Sequence, residues 1–416
     1  MTLSASAVTK IFLTFLFAKY VIEAVLEAKN KSHILKNRAK VPDRFQDSIT
    51  LEEHQKAADY SAEKIKTGQI FGLIDVALLL FWTLGGGINY LDQWISTFSL
   101  SPIWEGVAFV AAFGAIGTLL SLPQSLYSTF VTEEKFGFNK VTPALFVKDM
   151  AKGLLLGAVL GMPLFAGLLW VMKSLGETWW IYGWALLTGF QFLLLWAYPR
   201  FIAPLFNKFS TMQEGAHKEK VLSLLERTGF TSNGLFVMDA SIRSSHGNAY
   251  FTGFGKNKRI VFFDTLIKTL EPAEVEAVLA HELGHFKRKH VIKQLTKGVV
   301  LSFIAFFILG NLADSPLFFK GHGVENIKLH LALMLFAMVS GVYTFWMTPI
   351  SASVSRKYEF EADTFAAEHA NAHELISALV KLYKDNASTL TPDPSYSAYH
   401  HSHPPALIRV KHLEGL

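Results

Sequence analysis

Seven stretches of this chain are apolar over lengths that approach or reach a bilayer crossing, and they constrain its fold more than any other feature. A helix needs about 20 predominantly apolar residues to cross the hydrocarbon core. The stretches are Leu3–Leu26, Gln69–Tyr90, Trp104–Tyr127, Gly153–Met172, Thr178–Tyr198, Gly298–Ala313 and Leu329–Ser355. The first is interrupted by Lys10, Lys19 and Glu23, whereas the fourth and fifth carry no charge. The sixth is short and is expected to continue past Ala313. Composition agrees: 51% of the 416 residues are hydrophobic and only 18% are charged, against roughly 25% charged in soluble proteins. The lack of cysteine excludes a disulfide framework, a cysteine zinc finger and a thiol nucleophile. The net charge of +5 requires no nucleic-acid partner, because basic cytoplasmic loops of a membrane protein produce such an excess. No convincing A-x-A site follows the first stretch, so it reads as a retained span rather than a cleaved signal.

Lysine and arginine set the expected orientation. Lys29, Lys31, Lys36, Arg38, Lys40 and Arg44 follow the first span, and Lys135, Lys140 and Lys148 follow the third. The intervening loops, Leu91–Ile103 and Lys173–Glu177, hold one lysine between them. The N-terminus is therefore expected outside, with residues 199–297 and 356–416 in the cytoplasm. The chain divides into a membrane region over 1–198 with spans one to five, a cytoplasmic domain over 199–297, spans six and seven over 298–355, and a C-terminal cytoplasmic part over 356–416. In the cytoplasmic domain Glu214–Thr228 reads as a helix closed by Gly229. Gly234–Ser241 and Arg259–Leu266 read as strands, and Asn248–Gly255 as an edge strand or hairpin. Pro272 opens a further helix, with Glu274 and Glu276 near its positive end.

That helix carries "EAVLAHELGHFKRKHVIKQL", Glu276 to Leu295. Residues four apart on a helix share a face, so His281 and His285 can offer imidazole nitrogens to one metal ion. Glu282 stands beside them as a general base, able to take a proton from a water activated there. Gly284 is expected to leave room beside the metal. A catalytic zinc site takes three protein ligands and keeps one position open. The residue ten positions after His281 is Val291, not a third histidine, and His290, five residues after His285, points to a different face. The better source is "SRKYEFEADTFAAEHA", Ser355–Ala370, where Glu359 and Asp363 share a face. Glu359 would ligate and Asp363 would accept the N–H of a ligand histidine. Spacing alone leaves Glu361 and Glu368 open as alternatives, and Arg356 and Lys357 could make this an ordinary solvated face.

The whole chain resembles the CAAX prenyl protease 1 family of seven-span zinc metalloendopeptidases. The matching segments are "LEEHQKAADY", "FVTEEKFGFNK", "FIAPLFNKF", "GNAYFTGFGKNKRIVFFDTL", "HELGH", "SRKYEFEAD" and "HHSHPPALIRV", in that order. The resemblance implies a polytopic helical membrane protein, with seven transmembrane helices forming a chambered barrel and a cytoplasmic α+β gluzincin-type metallopeptidase domain. It implies one Zn2+ per chain held by His281, His285 and Glu359, with Glu282 as general base and Asp363 behind a ligand. His403 would stabilise the oxyanion, Arg409 would support the site or bind the substrate carboxylate, and Asn248 and Ala249 would line the substrate strand. An extended peptide adding to an exposed sheet edge suits the last two. The implied partners are a peptide or prenylated-protein substrate and the lipid bilayer, with removal of C-terminal tripeptides as the reaction. The chain lacks a dilysine tail after Arg409, which points to a bacterial source and the cytoplasmic membrane; a eukaryotic member would sit in the endoplasmic reticulum membrane. A bacterial member without prenylated substrates would serve membrane-protein quality control. A transporter with a structural zinc site is the competing class, and it would have no use for Glu282.

Overall fold

The computed structural model describes residues 4–252 and 259–416. Leu3 of the first apolar stretch and residues 253–255 of the expected edge strand lie outside the described residues. The membrane-type part opens with α1 (Ala5–Lys36), α2 (Leu51–Trp82), α3 (Gly87–Ser96), α4 (Pro102–Tyr127), α5 (Pro143–Ser174), α6 (Trp179–Ala197) and the short α7 (Ala203–Phe206). A mixed α/β segment follows: β1 (Phe209–Thr211), α8 (Ala216–Arg227), β2 (Leu235–Met238), β3 (Ala249–Thr252), β4 (Arg259–Phe263), α9 (Asp264–Thr269) and α10 (Pro272–Lys287). The remainder is helical: α11 (His290–Leu312), α12 (Pro316–Gly321), α13 (Leu329–Thr344), α14 (Thr348–His369), α15 (Ala372–Asp385), α16 (Pro394–His400) and α17 (Ala406–Glu414).

Among the described residues six helical stretches are long and apolar enough to cross a bilayer, and they contain the second to seventh apolar stretches in whole or in large part. The 32-residue α1 has the length but is not one of these six, and it carries Lys10, Lys19, Glu23 and Glu27. It nevertheless packs on α2, α12 and α13 and buries Phe12 and Leu16 among them. Neighbour relations close a ring: α1 meets α13, α13 meets α11, α11 meets α6, and α6, α5 and α4 follow in turn. The ring closes where α4 meets α2, through Trp82 against Phe113 and Phe71 against Tyr127. Phe12, Trp82, Phe109, Leu169, Phe306 and Leu331 fill one end of this barrel, where α3 and α12 also sit. The other end, at the N-terminus of α2 and the C-terminus of α1, meets α15 and α16. Lys19 Nζ lies 3.0 Å from Glu23 Oε2, and both line a cavity of about 560 Å³ with Asp75. Lys19, Glu23 and Asp75 therefore meet each other or a cavity, whereas Lys10 is exposed.

Several boundaries differ from expectation for local reasons. α2 begins with a capping box between Thr50 and Glu53, and it stops at Trp82, before the apolar run ends at Tyr90. Gly86 adopts φ +81° there and turns the chain into α3. The sixth span does not continue past Ala313. It gains length at its other end, where α11 starts at His290, and Lys297 Nζ reaches out to Ser351 Oγ at 2.9 Å. The seventh bends at residues 345–347, and α14 then carries it on to Glu359 and Asp363.

The four-stranded sheet has the order β1-β2-β4-β3, with β2 and β4 parallel and the outer pairs antiparallel. β3 is thus an edge strand. Arg243, just beyond β2, pairs with Asp149 of α5 at 2.8 Å and fastens the sheet to the barrel. α10 lies under the sheet with Val275, Ala277, Ala280 and Leu283 fully buried. Its two early carboxylates do more than favour a helix dipole. Glu274 accepts from Ser377 Oγ and Lys381 Nζ of α15 at 2.6 and 2.7 Å, and Glu276 accepts from Arg227 of α8 at 2.6 Å.

α10 and α14 cross at Gly284, where an added Cβ would come within 2.9 Å of Ala362 Cα and 3.0 Å of Phe365 Cβ. Gly284 therefore makes room for the backbone of α14, not for a metal. Gly284→Ala is expected to destabilise the protein by about 1–3 kcal/mol, the usual cost of overpacking. A thermal melt checks this, and an unchanged melting temperature would show that the crossing can relax.

Candidate active site

The crossing of α10 and α14 brings three side chains to one point. His281 and His285 present Nε2 atoms 3.2 Å apart. Glu359 places Oε1 3.2 Å from His285 Nε2 and Oε2 3.5 Å from His281 Nε2. One ligand atom from each residue lies within 4.8 Å of the others, a set that could hold a metal ion. Hydrogen bonding alone does not satisfy it, because Glu359 Oε2 is buried without a hydrogen-bond partner. Two imidazoles and a carboxylate form the donor chemistry of a catalytic divalent site with a position left open.

Behind this point the contacts fix which nitrogen faces inward. His281 Nδ1 lies 2.8 Å from Asp363 Oδ1, which turns Nε2 toward the centre. Asp363 is fully buried and is held by Arg409 of α17, with Nε to Oδ2 at 2.9 Å and Nη2 to Oδ1 at 2.5 Å. Arg409 is itself buried and spends its guanidinium fork on Asp363. Of its two implied roles, this geometry suits support of the site and leaves no exposed fork for a substrate. Burial pulls the His281 pKa down, but the neighbouring Asp363 and Glu359 carboxylates outweigh it and push it up to about 9. A metal ion binding here would compete with a proton for His281.

His285 is backed by a residue that sequence spacing misplaces. Its Nδ1 lies 3.0 Å from His290 Nδ1, and His290 Nε2 lies 3.0 Å from Glu361 Oε2. With Glu361 accepting from Nε2–H, the other His290 nitrogen is free to accept from His285 Nδ1–H, which leaves His285 Nε2 facing inward. His290 is buried and stacks on Tyr358 at 4.2 Å. A continuous helix would send it to another face. α10 instead ends at Lys287, and Lys289 takes φ +59°, which turns the chain back toward His285. The basic run Lys287–Lys289 was the only sequence signal of that break. Glu361, left open as a ligand by spacing, faces His290, and Glu368 is exposed.

The remaining expected residues surround the open side. His403 is exposed, with Nε2 3.4 Å from Glu359 Oε1 and Nδ1 3.0 Å from Ser402 Oγ. Arg356 is no solvated face residue: it donates to the carbonyls of Ser397 and His401 at 3.3 and 2.7 Å and ties down the segment before His403. Asn248 is exposed just ahead of β3, while Ala249 within that edge strand is buried. Asn248 and His403 line one cavity of about 690 Å³. Glu282 follows His281 on α10 and is half-buried.

Known proteins match this chain along nearly its whole length. Residues 30–208 match the family model described as CAAX prenyl protease N-terminal, five membrane helices, and residues 211–416 match peptidase family M48. The CAAX prenyl protease 1 homolog of Oryza sativa subsp. japonica is 35% identical, covering 97% of this chain and 96% of its own. CAAX prenyl protease 1 of Saccharomyces cerevisiae is 30% identical, over 96% and 94% respectively. The crystal structure of S. mikatae Ste24p superposes with a TM-score of 0.91 over 99% of this chain and 100% of that one, at 31% identity. With family models matched over residues 30–208 and 211–416 and relatives 30–35% identical over nearly the whole chain, the chain belongs to the CAAX prenyl protease 1 family of membrane metalloendopeptidases.

Proposed function

We propose that this chain is a zinc endopeptidase that removes short C-terminal peptides from prenylated proteins at the cytoplasmic face of its membrane. The observation that carries this reading is the convergence of His281, His285 and Glu359, which His403 links to a peptide-sized cavity. His281, His285 and Glu359 would hold one zinc, which when bound supplies Lewis acidity and brings the pKa of a coordinated water toward neutrality. Glu282 accepts a proton from the attacking water at its carboxylate and returns it to the departing amine. His403 Nε2 donates to the substrate oxygen as negative charge develops on it. Asp363 and His290 keep the inner nitrogens of His281 and His285 turned inward, and Arg409 keeps Asp363 ionised.

The substrate would lie extended against β3, using Asn248 and the backbone of Ala249. α1 serves as the first of seven spans in this reading, and its buried Phe12 and Leu16 support that assignment despite its charges. The basic loops after α1 and around Lys140 support a cytoplasmic location for the sheet and residues 356–416 in this reading. This reading keeps the four-part division at 198, 297 and 355, with α11 and α14 running across the last two boundaries and the final part supplying Glu359, Asp363, His403 and Arg409.

Two outcomes test the chemistry. Glu282→Gln is expected to retain one zinc per chain and to lose about 10²–10⁴-fold in peptide hydrolysis; a chelator silences the wild type and added zinc restores it. Full activity in the zinc-loaded variant would remove Glu282 from its role. His290→Ala is expected to weaken zinc binding by about 10- to 100-fold in competition with a chromophoric chelator, with His290→Gln recovering part of it. Unchanged affinity in His290→Ala would reduce His290 to packing.

A further inference from the structure

The cavity beside the candidate metal residues has an unusual charge balance. Among the described residues lining its roughly 690 Å³ there is no aspartate or glutamate, but there are Lys64, His246, His400, His401 and His403. Burial holds the pKa of His400 and His401 down, so Lys64 is the permanent charge in the cavity. Lys64 is exposed there and has no carboxylate partner among the described residues. Its neighbour Glu63 is already engaged by Lys135 at 2.9 Å.

Lys64 is also held in place. Its Nζ sits 4.9 Å from the centre of the Tyr60 ring, and the Tyr60 hydroxyl donates to Glu133 Oε1 at 2.5 Å. Tyr60 packs further on Phe136 and Phe138, so the platform under the ammonium is anchored. The other cation near the site, Arg409, is buried against Asp363 and cannot reach into the cavity. A cavity with an ammonium over an anchored ring and no acid among its described lining residues suits an anion. Its volume, within the ~300–1,000 Å³ usual for ligand sites, accepts several residues of peptide.

We infer that Lys64 binds the free C-terminal carboxylate of the substrate, so that the cavity measures cleavage from the chain end. This rests on the peptidase reading, and it gives the site a specificity that the metal cluster alone does not. His403, 3.4 Å from Glu359, links the cavity to the candidate metal residues, and Lys64 lines the same cavity. A C-terminal amide or a chain that continues past the cavity forfeits the ion pair.

The test uses the full-length zinc-loaded protein in lipid and a farnesylated peptide made as the free acid and as the C-terminal amide. Wild type is expected to favour the acid by about 10- to 100-fold in kcat/KM, the range for a charge-assisted hydrogen bond. Lys64→Gln should collapse that ratio to about one through KM, and Lys64→Arg should restore most of it. A wild-type preference that survives in Lys64→Gln overturns the inference. Equal cleavage of acid and amide by wild type also overturns it while leaving the peptidase reading intact. Cleavage of neither overturns both.

Discussion

The close crossing of α10 and α14 at Gly284 is the contact on which the site depends. One helix supplies His281, Glu282 and His285, the other Glu359, Glu361 and Asp363, and their backbones can approach only because residue 284 has no Cβ. Helices usually pack at 8–10 Å between axes; a glycine at the contact permits the near end of that range. At that distance a carboxylate as short as Glu359 reaches both imidazoles. The crossing is braced from outside by α15 and α8, which hold Glu274 and Glu276, and from below by α17, which holds Asp363.

Burying these charges is costly unless each is paired, and here each has an assigned partner. Asp363 has Arg409, Glu274 has Lys381, and His285 has His290 and then Glu361. The exception is Glu359 Oε2, which has no hydrogen-bond partner. A lone unsatisfied oxygen at the centre of an otherwise satisfied network is what a metal site looks like before its metal is considered. The same logic reaches into the barrel, where Lys19 and Glu23 pair beside a cavity.

Much of this was legible in the sequence, because hydropathy and helical spacing act locally. Six of the seven apolar stretches correspond to helices fit to cross a bilayer, and the i,i+4 rule places His281 beside His285 and Glu359 in line with Asp363. What spacing could not supply was anything decided by a break or by a neighbour. His290 was misplaced because one left-handed residue, Lys289, redirects the chain. Gly284 was credited to the metal because the helix it accommodates lies 78 residues further along at Ala362. The end of α2 and the start of α11 were misjudged for a related reason: an apolar run does not announce where glycine turns it or where lysine side chains extend it. Lys64 carried no signal at all, since only the fold shows that the cavity it lines has no acid among its described residues.

The central claim is that two histidines and one glutamate hold a single zinc with a position left for reaction. Zinc quantification together with zinc K-edge absorption on the purified full-length protein measures this directly. The account predicts one zinc per chain with two imidazole nitrogens at about 2.0–2.1 Å, one carboxylate oxygen at about 2.0–2.2 Å and an exchangeable oxygen completing the shell. Loss of the protein carboxylate signal in Glu359→Ala, but not in Glu361→Ala, should accompany it. A zinc closed by four protein ligands, or one that survives Glu359→Ala unchanged, would contradict the account.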